Sequence, residues 1–468
     1  MTPANEKQLL QALYDRIFDA VCYSPNGKSG VFMPQTTLLQ FAKNTALSAA
    51  DFKNQVTPMN PNGDLNAAQQ FSALVDDIPQ VSVEYIPSSE KVSKTFQLIA
   101  NGANTDAKLD PAQKATYDAA MAFLVESISI PNFKGPPTVS KGPSAIAKAY
   151  DENQTAYVAA YTGYRVAQNG YDLTQVKDQR AFNAVAPMLQ LNVDKAWNNW
   201  VRQGKNNVEE ATDAMAATIN DVISAIIGDA QQSVSPDKWL APSTLAGSKW
   251  LLSYPLPGDW AAGSSGASDF KLSSSYLNTS SDSKSNSYGA KTAFSVGLWS
   301  VSGGAEHSDT ETNSHMDANS VSISAKLTLV RIMRPWLDMT LFRTDGWWLK
   351  GQPVGAVSNG ALDGNTAGMM PLIPVAFVVM SDVTITADFS EDDKKHIDSA
   401  TSGSASVGWG PFSVSGHYSH SDSKDMSKAT FDGGSIRVPG MQIVAWISEI
   451  TPISPPAVAP AAGAPAAG

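Results

Sequence analysis

Ser406-Val407-Gly408-Trp409-Gly410-Pro411-Phe412-Ser413-Val414-Ser415-Gly416-His417-Tyr418-Ser419-His420-Ser421-Asp422 restates an earlier stretch of the chain. That stretch is Ser295-Val296-Gly297-Leu298-Trp299-Ser300-Val301-Ser302-Gly303-Gly304-Ala305-Glu306-His307-Ser308-Asp309, and the later copy carries two extra residues around Gly410 and Pro411. The correspondence continues downstream, where Ser322-Ile323 matches Ser435-Ile436 and Leu327-Thr328-Leu329-Val330 matches Met441-Gln442-Ile443-Val444. Each copy reads as a Ser-rich approach, an alternating strand, a polar loop and an apolar return strand. Two copies about 111 to 114 residues apart predict pseudo-twofold related halves of one sandwich or barrel.

Upstream of the repeat the hydrophobic period changes from two to 3.6. Leu9, Leu10, Leu13, Ile17, Phe18 and Val21 share one face of a helix over Glu6 to Val21. Asp110 and Pro111 are an N-cap and first helical residue for a helix reaching Val125. Ala145 to Ala167 reads as a helix ended by Gly170. Val208 to Ile227 carries Ala211, Met215, Ile219, Val222, Ile223 and Ile226 in one stripe, with Gly228 as a stop. Ser233 to Lys249 is a Ser/Pro-containing connector. Strands are predicted over Ser322 to Ile332, Val375 to Met380, Val383 to Phe389, Ser413 to Ser419 and Gln442 to Ser448. The expected fold class is α+β in two parts. A helical domain (1–232) precedes a mainly antiparallel β domain (245–450) built from duplicated units at about 270–332 and 383–448. A Pro/Ala/Gly tail (452–468) has too little apolar surface to order itself.

Bulk composition narrows the function. The 468 residues carry a net charge of −11 and only 16% charged side chains. Nucleic acid is therefore not an expected partner, because phosphate binding needs clustered Lys and Arg. Cys22 is the single cysteine, so neither an intrachain disulfide nor a thiolate metal cluster can form. The first ten residues lack the basic-then-apolar pattern of a secretory signal. The most apolar run, Gly368 to Met380, contains Pro371 and Pro374 and falls short of the ~20 residues of a spanning helix. The expected location is cytoplasmic as synthesised, with non-classical release as the route outward.

In Phe412 to Ser419, period two places Phe412, Val414, Gly416 and Tyr418 on one face and Ser413, Ser415, His417 and Ser419 on the other. Val301 between Ser300 and Ser302 repeats the pattern, and Ser273 to Ser287 upstream is almost wholly Ser, Asn, Asp, Lys and Tyr. This pattern resembles the prestem hairpin of β-pore-forming toxins, over two stretches of about 50 residues. In those proteins a stored Ser/Thr-rich amphipathic hairpin later joins its neighbours in a closed barrel, one face toward lipid and one toward a wet lumen. The resemblance implies a homo-oligomer with membrane lipid as a further partner, and Val296, Trp299, Val301, Phe412, Val414 and Tyr418 as the amphipathic hairpin residues. The competing readings are ordinary sandwich strands, and a structural self-assembly or binding protein whose β domain forms inter-subunit contacts.

Four of the 5 histidines, His307, His315, His417 and His420, fall in the two polar hairpin segments. His307-Ser308-Asp309 matches His420-Ser421-Asp422. These residues form a candidate pH switch, since imidazoles charging between pH 5 and 8 would offset acidic repulsion between neighbouring molecules. The alternatives are exposed loop histidines without a role and His/Asp pairs that converge on a metal. Trp336, Trp347 and Trp348 flank a predicted Asp345-Gly346 turn and are either a surface aromatic platform or core. Enzyme motifs fail where tested. Gly27-Lys28-Ser29 resembles the end of a phosphate loop, but Cys22 stands where that loop requires glycine. There is no Gly-x-Ser-x-Gly elbow, His-Glu-x-x-His helix or dinucleotide fingerprint. The expectation is a non-enzyme with no metal and no cofactor.

Overall fold

A computed structural model of the chain describes residues 3–21, 36–43, 45–107, 110–131, 136–171, 173, 175–219, 222–240, 249–263, 266–273, 298–302, 310–312, 320–362, 368–402, 406–418 and 426–458. The first half carries helices α1 (Pro3–Val21), α2 (Leu65–Leu74), α3 (Val92–Gly102), α4 (Pro111–Leu124), α5 (Ala145–Asn169), α6 (Val176–Arg202), α7 (Lys205–Thr218) and α8 (Ile223–Ser233). Between them run short strands: β1 (Thr37–Phe41), β2 (Ala46–Leu47), the pair β3 (Asp77–Pro79) and β4 (Pro87–Lys91), β5 (Ala103–Thr105), and the pair β6 (Val125–Ile130) and β7 (Thr138–Pro143).

Local signals set several of these boundaries. Asp110 Oδ1 accepts from the amides of Ala112 (2.8 Å) and Gln113 (3.3 Å), and Pro111 opens α4. Gly170 ends α5. The single helix expected over 208–227 is instead two, α7 and α8, and Gly228 lies inside the second. Thr218 turns its hydroxyl back onto the carbonyls of Ala214 and Met215, and Asn220-Asp221 prefer caps to helix interiors. The 27-residue α6 has no counterpart among the predicted helices. It holds Pro187, and Val176, Met188 and Leu191 stay exposed on it.

The second half holds β8 (Tyr254–Leu256), β9 (Ser268–Leu272), β10 (Trp299–Ser302), β11 (Thr310–Thr312), β12 (Ser322–Met333), β13 (Trp347–Leu349), β14 (Leu372–Thr386), α9 (Glu391–Ser402), β15 (Ser406–Trp409), β16 (Phe412–His417), β17 (Met426–Lys428), β18 (Thr430–Phe431) and β19 (Ser435–Ile450). The fold is α+β with antiparallel sheets. The larger sheet runs β1-β19-β14-β12-β8, with β2 and β18 also on β19 and β9 also on β12. β14 joins the two strands expected on either side of Ser381, passing a bulge where Asp382 takes φ 53°. It is buried on both faces. Ala376, Val378, Met380, Val383 and Ile385 enter one core, while Phe377 and Val379 enter another beneath α2 and Trp260.

The chain crosses the anticipated 232–245 boundary in its packing. Leu9, Leu10, Leu13, Tyr14 and Ile17 of α1 lie in the same core as β14, and β1 pairs residue for residue with β19. The tail is bonded for its first residues. The Ser454 carbonyl accepts from the Val357 and Ser358 amides, its own amide donates to the Ser358 carbonyl, and the Ala457 amide reaches the Trp347 carbonyl. Residues 459–468 lie outside the described set. Two of the candidate surface tryptophans are core instead: Trp347 is fully buried and Trp336 is buried beside Phe96, while Trp348 is half-buried. Gly346 does turn the chain at φ 82°. However, Leu341-Phe342 sit in a 3-10 turn, so β13 pairs with the distant β5.

α5 packs on the sheet edge, and its Asp151 lies 3.9 Å from Arg331 of β12. Burial holds the Asp151 carboxyl above the ordinary 3.8, and Arg331 offsets only part of that shift. The folded chain thus keeps this proton more tightly than the unfolded one. Stability tied to it is complete below 3.8 and is lost as pH rises through the raised value. The melting temperature of Asp151→Asn relative to the parent should therefore climb between about pH 3 and pH 7. A difference that stays flat across that range would show the carboxylate to be solvated.

Candidate functional site

Leu272 of β9, Ile323 of β12, Ile385 of β14 and Ile436 of β19 lie in one continuous cross-strand row at one end of the larger sheet. All four are buried in a single core. Ile323 and Ile436, matched by the sequence repeat, thus flank the same residue of β14. Just beyond this row the chain leaves the sheet twice. Roughly 50 residues separate β9 from β12, and roughly 50 separate β14 from β19. Each insertion joins adjacent antiparallel strands at the same end.

The two insertions build the second sheet between them. Its order is β11-β10-β15-β16-β17, with the first two strands from one insertion and the other three from the second. The β10–β15 register continues that of β12–β14, and the β15–β16 register continues that of β14–β19 as far as a bulge that sets Val407 opposite Ser415. Ser322 faces Thr386 across β12 and β14, and twenty residues farther along each insertion Ser302 faces Ser406. The pairs Val301–Val407, Ser300–Gly408 and Trp299–Trp409 follow. Thr386 likewise faces Ser435 across β14 and β19, and twenty-three residues farther on Trp409 faces Phe412. The turn between Trp409 and Phe412 needs a positive φ at Gly410 (56°), whose amide donates to the Leu298 carbonyl at 2.7 Å. A Cβ on Gly410 would sit 3.3 Å from Leu10 of α1.

Of the hairpin residues singled out by sequence, Trp299, Phe412 and Val414 are fully buried, as are Val407 and Trp409. They share one core with Ile323, Ile385 and Ile436. Val301 lies on β10 opposite Val407, and Tyr418 is half-buried just past β16. The Ser face of β16 departs from expectation. Ser413 and Ser415 are 0% exposed rather than solvated, and the Ser413 amide donates to Gln442 Oε1 of β19 at 2.6 Å. Val296, His307, His315, His420, Asp309 and Asp422 lie outside the described residues. His417 is described; it is exposed and pairs opposite Met426.

The fifth histidine belongs to a polar contact that the sequence reading missed. Trp299 donates its indole N–H to Asp393 Oδ1 of α9 at 2.8 Å, with both residues buried. Asp393 Oδ2 accepts from the Ser390 amide (2.9 Å) and hydroxyl (2.6 Å), and the Asp393 amide returns a bond to Ser390 Oγ at 3.2 Å. This is a capping box. Three residues on, His396 stacks on the Trp299 ring at 5.3 Å and 22°. Ser390-Glu391-Asp392-Asp393 was the available signal, since an acidic first turn suits a helix N-terminus.

Among the described residues no group of three His, Cys, Asp or Glu side chains is placed to hold a metal ion. No described helix is long and apolar enough to cross a membrane. No protein-family model, curated protein or solved structure matches the chain.

Proposed function

We propose that this protein oligomerises through its two insertions and acts on membranes by extending them as β-hairpins from the ends of β9/β12 and β14/β19. The register shared by the two sheets carries this reading. If the segments between them straightened, β12 would run on into β10 and β14 into β15. The partners facing one another across β10 and β15, and across the turn from Trp409 to Phe412, would then remain partners, while the β10–β11 and β16–β17 pairings, each drawn out into a single strand, would separate. A transmembrane strand needs ~9–11 residues, and an arm of about 24 residues, at ~3.3 Å each, exceeds that more than twofold. The cost is leaving the core. Undocking five buried apolar side chains forfeits on the order of 10 kcal/mol, which only lipid or a neighbouring copy restores. The same burial favours the second reading, assembly in which the smaller sheet stays docked.

Dye release from liposomes, with electron microscopy of the same sample, separates the two. Release with rings is the expected result. Particles or filaments without release would favour docked assembly, and a persistent monomer would sink both. Ser302→Cys with Ser406→Cys, in a Cys22→Ser background, adds a sharper arm. The disulfide joins partners of both states, so oxidation is expected to leave release intact. Loss of release on oxidation would mean that the insertions re-pair.

A further inference from the structure

We infer that the cleft between α5 and one edge of the larger sheet binds a small aliphatic monocarboxylate, its carboxylate on Arg331 and its chain lying along α5 toward Ser268. This site is independent of the membrane reading above. Strands β8 and β9 share one edge of β12 without meeting. β8 pairs with residues 331–333 and β9 with residues 323–327, so neither covers residues 328–330. The gap opens into a cavity of about 480 Å³ whose facing wall is α5. That volume lies within the ~300–1,000 Å³ of small-ligand sites.

The cavity is polarised along its length. Val158 and Ala159 of α5, with Met59, Leu256 and Leu329, give it an aliphatic lining. Its residues on α5 run from Glu152 to Thr162, about 15 Å of helix at ~1.5 Å per residue. Arg331 stands at the Glu152 end, 3.9 Å from Asp151. The far end closes where α5 meets β9, since a Cβ on Gly163 would stand 3.4 Å from Ser268 Oγ. A cation at one end of an aliphatic cleft fits an elongated anion with an apolar body. Arg331 is the only cation among the described lining residues, which suits a single negative charge rather than the nearly two of a phosphate monoester. Its Nη1 is buried with no hydrogen-bond partner among the described residues, and Asp151 at 3.9 Å is beyond hydrogen-bond reach. The Arg331 side chain keeps 16% of its surface open, so a carboxylate in the cavity would meet the forked donors that match it. Asp151 lines the neighbouring cavity instead. Glu152 is exposed at the rim, where solvent and salt screen its charge.

Isothermal titration of the full chain with octanoate, and with octanamide as its neutral counterpart, tests the site. Octanoate is expected to bind at one site and to lose affinity roughly ten- to a hundredfold in Arg331→Gln, the range of a hydrogen bond to a charged group. Octanamide should bind weakly and equally to both proteins. Asp151→Asn removes the carboxylate that competes for Arg331, so it should tighten octanoate several-fold and leave octanamide unchanged. Ala159→Leu fills the aliphatic lining with a residue that suits a helix and should abolish octanoate binding, which keeps the test readable if Arg331→Gln fails to fold. No binding to the parent, equal affinity for octanoate and octanamide, or octanoate affinity unchanged in the folded variants would each overturn the site.

Discussion

Deleting Ser404 is expected to leave the folded protein intact and to abolish dye release. The residue lies in the connection between α9 and β15. In the folded-back state β15 is held by its pairing with β10 and β16, and α9 by its own capping box. Shortening this three-residue connection to two changes closure entropy by roughly half of the ~0.6 kcal/mol that a doubling of length costs. In the extended state the same residue becomes part of a strand, and a one-residue slip there reverses every face beyond it. Val407 and Trp409 would turn from the face of Ile385 to the lumen, and Ser406 would meet lipid. Deleting Ser404 with Ala405 restores the alternation at the price of a two-residue register shift, so it should recover part of the release. Thermal melts check the folded state, and liposome assays the outcome. Full release from the single deletion would show that β15 does not continue β14.

What sequence revealed and what it hid follow the reach of the forces involved. Signals local to a few residues read correctly: Asp110-Pro111 opens α4, Gly170 closes α5, and the apolar runs of β12, β14 and β19 are strands. The repeat was legible because Ile323 and Ile436 sit in matching strands. Its geometric consequence, that both flank Ile385, needed the sheet order, which no local pattern encodes. α1 and β1 joined the core of the C-terminal sheet because burial is indifferent to chain separation. The solvated serine face was inferred from alternation alone, and alternation cannot tell water from a second layer. Here the second layer is β19, whose Gln442 meets the Ser413 amide, and both Ser413 and Ser415 lie in the interior. α6 escaped notice because a helix whose Val176, Met188 and Leu191 remain exposed has no clean apolar stripe.

Replacing Trp299 with Phe should speed membrane release by roughly ten- to a hundredfold, a range set by one hydrogen bond to a charged group at about 1.5–3 kcal/mol. The indole N–H reaches the buried Asp393 carboxylate at 2.8 Å, and the ring stacks on His396 of the same helix. Both contacts belong to the folded-back state alone, because α9 must unwind before its residues can continue β14. Phe preserves most of the ring's burial in the core it shares with the isoleucine row and removes the donor. The pairing of position 299 with Trp409, which the extended state retains, is untouched. The substitution therefore raises the free energy of one state and leaves the other nearly unchanged, which is the condition for shifting their ratio. Hydrogen exchange at the α9 amides should rise in step with the release rate, since the same contact restrains both. Asp393→Asn is the complementary variant. It keeps an acceptor oxygen for the indole but loses the charge that strengthens the bond and caps the helix, so it should also accelerate release. Faster α9 exchange with an unchanged release rate would mean that unwinding this helix is not the step that frees the insertions, and the restraint would have to lie instead in the buried face of β15 and β16.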